Sequence, residues 1–186
     1  VGLLIDDDPV VWRGPVAQNT LSELFTDVSW GTLDYLVIDL PPGTGDVQLT
    51  VLQQLPVTGT VVVTTPQAVA VDDARRGVEL FAEYQTNVLG VVENMSSFVC
   101  PDCGSEHDVF GEDGGRSLAE AVDVPYLGSL PLDPSVRIGG DDGEPVVRRD
   151  TGDTAAAFRD LAGTVANKVG VLRRHHRRQT AASTGD

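Results

Sequence analysis

Apolar and polar positions along this chain follow two periods, and those periods predict its elements. Short continuous apolar runs fall at residues 35–38 (Tyr-Leu-Val-Ile), 60–65 (Thr-Val-Val-Val-Thr-Thr), 88–94 and 125–130. Runs of that length between turn residues read as strands buried on both faces, the kind found in parallel sheets. Around them, apolar residues recur at helical spacing. Residues 16–25 are predicted as a helix opened by Pro15, and residues 45–55 carry Val47, Val51, Leu52 and Leu55. Asp72 and Asp73 mark the first turn of a helix whose stripe is Ala74, Val78, Leu80, Phe81 and Tyr84. Residues 117–122 form a short helix, and 155–172 a longer one with Phe158, Leu161, Val165, Val169 and Leu172 on one face. Strands alternating with helices predict an α/β fold, a mainly parallel sheet flanked by helices and built from right-handed crossovers. Residues 95–115 read as a long irregular insertion, and 139–153, acidic and Gly-rich, as a surface loop. From Arg173 the run Arg-Arg-His-His-Arg-Arg opens a frayed, disordered basic tail over 173–186, leaving 1–172 as the domain.

Composition narrows the setting. With 186 residues, 41% of them hydrophobic, the chain suits one domain with a sizeable core. No apolar run of about 18 residues and no signal peptide are visible, which predicts a cytoplasmic protein without a membrane partner. The net charge is −15, from 28 acidic and 13 basic residues, and 12 of the basic ones are Arg. Such a charge opposes compaction in dilute buffer but is screened within about 3 Å in molar salt. Abundant carboxylates with scarce lysine therefore resemble the proteins of salt-in halophiles. An acidic face for a basic partner is the weaker reading, because the acids are spread along the chain. A nucleic-acid partner is disfavoured.

The run Asp39-Leu40-Pro41-Pro42-Gly43-Thr44-Gly45-Asp46 changes the picture most. A buried strand at 35–38 would deliver Asp39 to the carboxyl edge of a sheet. The segment after it can be neither helix nor strand, since two prolines lack donors and two glycines permit unusual backbone geometry. Such a turn can bring Gly N–H groups close to an anion while Asp39 holds Mg²⁺ through water. That is the arrangement of a Walker B strand followed by a γ-phosphate sensor in P-loop NTPases; an Asp that merely caps a turn is the bland alternative. The partner motif Gly-x-x-x-x-Gly-Lys-Ser/Thr does not occur, and Lys168 is the chain's one lysine. The chain opens at Val1 rather than Met, and an N-terminal part carrying the P-loop is expected to precede it.

Cys100 and Cys103 form a Cys-Pro-Asp-Cys turn. In a cytoplasmic protein this spacing reads as half of a metal site or a redox pair before a structural disulfide. Spacing alone places zinc slightly ahead of a [4Fe–4S] cluster. Either needs four thiolates, which a symmetric homodimer would supply across its axis. His107 reads as an exposed loop residue or a spare ligand. Trp12 and Trp30 read as packing residues, and Arg13 as a phosphate or subunit contact or a surface ion pair.

Taken in order, Trp12-Arg13-Gly14-Pro15, the Asp34–Asp39 strand with its Pro-Pro-Gly loop, Thr64-Thr65-Pro66-Gln67, Glu93-Asn94-Met95-Ser96 and Cys100-Pro101-Asp102-Cys103-Gly104 resemble the Mrp/ApbC family. These are iron–sulfur cluster carrier ATPases related to MinD and ParA. The likeness runs from Val1 to about Arg148 and covers the C-terminal part of such a protein. The resemblance implies a P-loop NTPase fold, N-terminally incomplete here, and a dimer that carries a cluster to apo iron–sulfur proteins under control of ATP hydrolysis. It implies that Asp39 coordinates Mg²⁺ through water and that Gly43 offers its N–H to the γ-phosphate. Pro41, Pro42 and Gly45 would aim the loop and Asp46 would cap the next helix. Asn94 would meet the adenine edge, Pro131 to Asp133 would line the base pocket, and Cys100 and Cys103 would hold the cluster, putting iron–sulfur ahead of zinc. Without the P-loop, this stretch alone is expected to be inactive. Competing readings are a MinD/ParA-type positioning ATPase and a zinc-stabilised module without hydrolysis.

Overall fold

The computed structural model describes residues 15–149 and 152–183, so Trp12, Arg13 and the start of the chain lie outside the described residues. Two compact units divide the chain, Val1–Pro56 and Val57–Asp186.

The first unit holds two helices that pack on each other, α1 (Pro15–Thr26) and α2 (Asp46–Gln54). Both were predicted within a residue or two. Gln48, Val51 and Leu52 lie at helical spacing along α2, with Leu55 as its C-cap, and Gln48 and Val51 are each 3% exposed. The segment between the helices departs from expectation. Residues 35–38 are not a strand, and Tyr35, Leu36 and Val37 are 54%, 46% and 89% exposed. An apolar run becomes a strand only when neighbours supply ladder hydrogen bonds on its edges, and among the described residues none pairs with this one. Trp30, expected as a packing residue, is 43% exposed. Asp46 does not cap α2: Gly45 occupies the N-cap and Asp46 is the acid of the first turn, where it favours the positive end of the helix dipole.

The second unit is built on a three-stranded parallel sheet. Its strands β1 (Thr60–Thr64), β2 (Val88–Asn94) and β5 (Tyr126–Leu130) stand in the order β1-β2-β5. The central strand is the most deeply buried, with Val91 and Val92 at 0% and 1% exposure. Two crossovers make the sheet parallel. Helix α3 (Ala68–Glu83) links β1 to β2, and α4 (Gly114–Ala121) precedes β5. They pack on β1 and β2 through Val78, Phe81, Leu118 and Ala119. Asp72 and Asp73 fall in the second turn of α3 rather than the first, because the helix starts directly after Thr65-Pro66-Gln67. Pro66 cannot extend the ladder and its fixed φ suits a turn into a helix.

Residues 95–115 are more ordered than expected. They fold into an antiparallel hairpin of β3 (Phe98–Val99) and β4 (Glu106–His107), with the cysteines at its turn. The predicted loop at 139–153 is also corrected. Helix α5 (Pro134–Asp141) runs through Gly139, and α6 (Val146–Arg149) follows. Gly139 is buried because the Glu144 backbone returns over it; a Cβ there would sit 2.6 Å from the Glu144 carbonyl oxygen. The last helix, α7 (Asp153–Ser183), packs on β5 and continues through the basic run expected to fray. Its arginines are good helix formers, so nothing in the sequence stops the helix at Leu172. No described helix is long and apolar enough to cross a membrane.

Candidate nucleotide-sensing loop and cysteine hairpin

In the first unit, residues 41–45 form a bent loop between Asp39 and α2. Gly43 takes φ +92°, a conformation that favours glycine, with nothing within 4 Å of where a Cβ would stand. The loop is therefore open on that side. Its back is held by Gln48, whose Nε2 donates to the Pro41 carbonyl at 2.6 Å and to that of Pro42 at 3.5 Å. Sequence reasoning missed Gln48, although it completes the helical stripe of Val51 and Leu52 and is, with Thr50, one of two buried polar residues of α2. Asp39 is exposed at the loop's start.

In the second unit, Asn94 and Leu130 are partners at the carboxyl ends of β2 and β5, which places Asn94 beside Pro131. The Asn94 Oδ1 accepts from the Met95 N–H at 3.0 Å. Asp133 is committed elsewhere. Its Oδ1 accepts from the Ser135 N–H at 2.8 Å as the N-cap of α5, and its Oδ2 from the Thr154 hydroxyl at 2.6 Å. Those donors, Thr154 first, hold its carboxyl below the ordinary value near 3.8. Asp133 thus shapes the loop after Pro131 and ties it to α7.

Cys100 and Cys103 are free thiols, the first half-buried and the second exposed. The turn between them is closed by backbone bonds. Cys100 N–H donates to the Ser105 carbonyl and Gly104 N–H to the Cys100 carbonyl, both at 2.9 Å, and Gly104 takes φ +71°. The Cys103 thiol lies 3.3 Å from Ser105 Oγ. Bonds from the Ser105 hydroxyl, then the Ser105 backbone and Cys100, lower its pKa from 9.0. A sulfur that ionises early is a better metal ligand and nucleophile. Among the described residues no group of three or more His, Cys, Asp or Glu is placed to hold a metal ion. His107 sits on β4 opposite Phe98, outside any such group. One chain thus offers two thiols.

A parallel sheet with helical crossovers, and loops leaving its carboxyl edge, defines the class of α/β proteins that includes the P-loop NTPases. Among solved structures, the chain resembles the nucleotide-binding protein of Archaeoglobus fulgidus, in complex with ADP, at TM-score 0.59 and 38% identity, covering 69% of this chain and 53% of that one. The cell-division ATPase MinD of Pyrococcus furiosus matches at TM-score 0.55 and 22% identity, covering 81% of this chain and 56% of that one, a likeness of fold alone. The family model described as ParA, NUBPL iron-transfer P-loop NTPase, matches residues 1–166, and the chain belongs to that family. Similar relatives are the iron-sulfur cluster carrier proteins of Synechocystis (47% identical, covering 91% of this chain and 49% of that one) and Escherichia coli K12 (47%, covering 90% and 46%). The mouse iron-sulfur cluster transfer protein NUBPL is 45% identical, covering 91% and 54%. The chain spans about half the length of the curated relatives it matches.

Proposed function

We propose that this chain is part of a nucleotide-controlled iron–sulfur cluster carrier that hands a cluster to apo iron–sulfur proteins. The observation that carries the reading is the pair of free, closely spaced thiols at the tip of an ordered hairpin, in a chain of a family described by iron transfer. Two such hairpins brought together in a homodimer would supply the four thiolates a [4Fe–4S] cargo requires.

The nucleotide roles are assigned residue by residue. Asp39 would coordinate Mg²⁺ through water, and the open face of Gly43, with Pro42, would meet the γ-phosphate. Asn94 would meet the adenine edge with its side-chain amide, with Pro131 beside it and Asp133 holding the loop that follows. ATP hydrolysis to ADP and phosphate would be the switch, completed by a P-loop that these 186 residues do not contain, so this stretch alone would not turn over ATP. The protein would work in the cytoplasm.

Anaerobic reconstitution with iron and sulfide tests the proposal. Broad visible absorbance that disappears in Cys100→Ala is expected. A colourless, zinc-loaded dimer would overturn it in favour of a zinc-stabilised module.

A further inference from the structure

Glu93 is one of the most buried ionisable residues described, 3% exposed at the end of β2, and no role given so far uses it. Its Oε2 accepts from the Gly115 N–H at 2.7 Å. Gly115 is the last residue of the cysteine-bearing segment 95–115 and lies in the first turn of α4. The contact leaves no room for a side chain: a Cβ on Gly115 would stand 2.9 Å from the Glu93 Cβ. Gly114 is equally confined, since its Cβ would lie 2.4 Å from the carbonyl oxygen of buried Pro66. The Gly114-Gly115 pair is therefore wedged between the ends of β1 and β2.

The other end of the segment is pinned as well. Ser96 N–H and Oγ donate to the Leu130 carbonyl at 3.0 and 3.2 Å, and Leu132 N–H donates to the Ser97 carbonyl at 2.8 Å. Those bonds flank Pro131. The cysteine hairpin thus leaves the sheet edge at Asn94 and returns to it at Glu93, two successive residues of one strand. Side chains of successive strand residues point to opposite faces. A shift of this strand end would move the exit of the hairpin together with the Asn94 amide.

We infer that Glu93 is the positioning residue of the cysteine hairpin, its buried carboxyl latching Gly115 so that Cys100 and Cys103 are presented in one geometry. The role rests on the reading of these cysteines as metal-holding ligands. Glu93 touches no thiol and acts through the backbone of residues 95–115. Loss of the latch leaves the thiols intact but lets their turn sample many orientations. Groups bonded directly to metal ligands change affinity by about 10–100-fold, and Glu93, one step further back, should weigh at the low end of that range.

The test titrates the full chain with Co(II) and follows the thiolate-to-cobalt absorbance, with Cys100→Ala as the blank. Glu93→Val, which has no acceptor, is expected to weaken apparent Co(II) affinity about tenfold and broaden the visible cobalt bands. Glu93→Gln keeps an acceptor oxygen and should restore wild-type binding within about twofold. Leu118→Ala, a core change on the same helix, should lower thermal stability without moving the cobalt spectrum. Wild-type affinity and spectrum in Glu93→Val overturns the role of Glu93 alone. A wild-type chain with no thiolate band overturns the reading of the cysteines and the latch with it. If circular dichroism shows Glu93→Val unfolded, Gly115→Ala opens the same latch, and wild-type Co(II) binding there overturns the inference.

Discussion

Gln48 of α2 donates its side-chain amide to the Pro41 carbonyl at 2.6 Å while itself only 3% exposed, so a buried side chain fixes an otherwise exposed Pro-Pro-Gly loop. Gln48→Leu would fill the same space and remove the tether. Pro41 is exposed and its carbonyl can rehydrate, so the stability loss should be small, about 1 kcal/mol. The larger expected effect is local: faster amide hydrogen exchange at Gly43 to Gly45 than in the wild type. Unchanged exchange there would show that the loop is held by its prolines alone.

Cys103 should ionise before an ordinary thiol. Its pKa lies below 9.0 because the Ser105 hydroxyl and backbone stabilise the thiolate. The pH profile of iodoacetamide alkylation, read by mass spectrometry in Cys100→Ala, should therefore have its midpoint below that value. Ser105→Ala removes the largest cause and should move the midpoint upward. A profile that ignores Ser105 would refute the assignment.

Asp133 links acid stability to the loop after β5. Its folded pKa is depressed, so its contribution is fully present above the ordinary carboxylate value and lost as pH falls through the lower folded one. Thr154→Val removes the main stabilising donor. The mutant should be less stable than wild type in urea at neutral pH, and the gap should narrow as pH falls below about 3.8 towards the lower folded value. Asp133→Ala, which also removes the α5 cap, should cost about 1 kcal/mol from the cap alone.

Gly90 predicts the steepest loss. It sits inside β2 at φ +152°, and a Cβ would stand 2.3 Å from the Pro125 carbonyl oxygen. Backbone, not a flexible side chain, is in the way, so Gly90→Ala should force β2 and β5 apart and cost more than about 2 kcal/mol. Thermal unfolding measures it. By contrast, Gly43→Ala meets open space and should cost only about 1 kcal/mol of backbone strain.

Much of the second unit was legible in the sequence because its elements announce themselves locally. The strand at 88–94 was read with both ends correct, since the run is continuously apolar and ends at a polar pair before the insertion. Asp133 and Gln48 were not legible in their structural roles. The family resemblance gave Asp133 only as a wall of the base pocket, and the Ser135 cap and the Thr154 contact, 21 residues away, show its commitment. The Glu93–Gly115 bond was hidden for the same reason, because partners 22 residues apart leave no periodic trace.

Strand and helix periodicity by themselves determined an α/β chain, and the order of its motifs, with the paired-thiol turn, determined its likeness to the family of ParA and NUBPL iron-transfer P-loop NTPases. These features rest on local propensity and on short spacings, which the chain carries wherever it is placed. Tertiary structure decided what depends on a neighbour. The apolar run at 35–38 is exposed because strand character needs a ladder partner on its edge. The segment 95–115 is an ordered hairpin because Glu93, Pro66 and Leu130 grip both its ends. Burial and hydrogen-bond partnership are properties of the assembled fold, and they alone distinguish a loop that drifts from one that aims its cysteines.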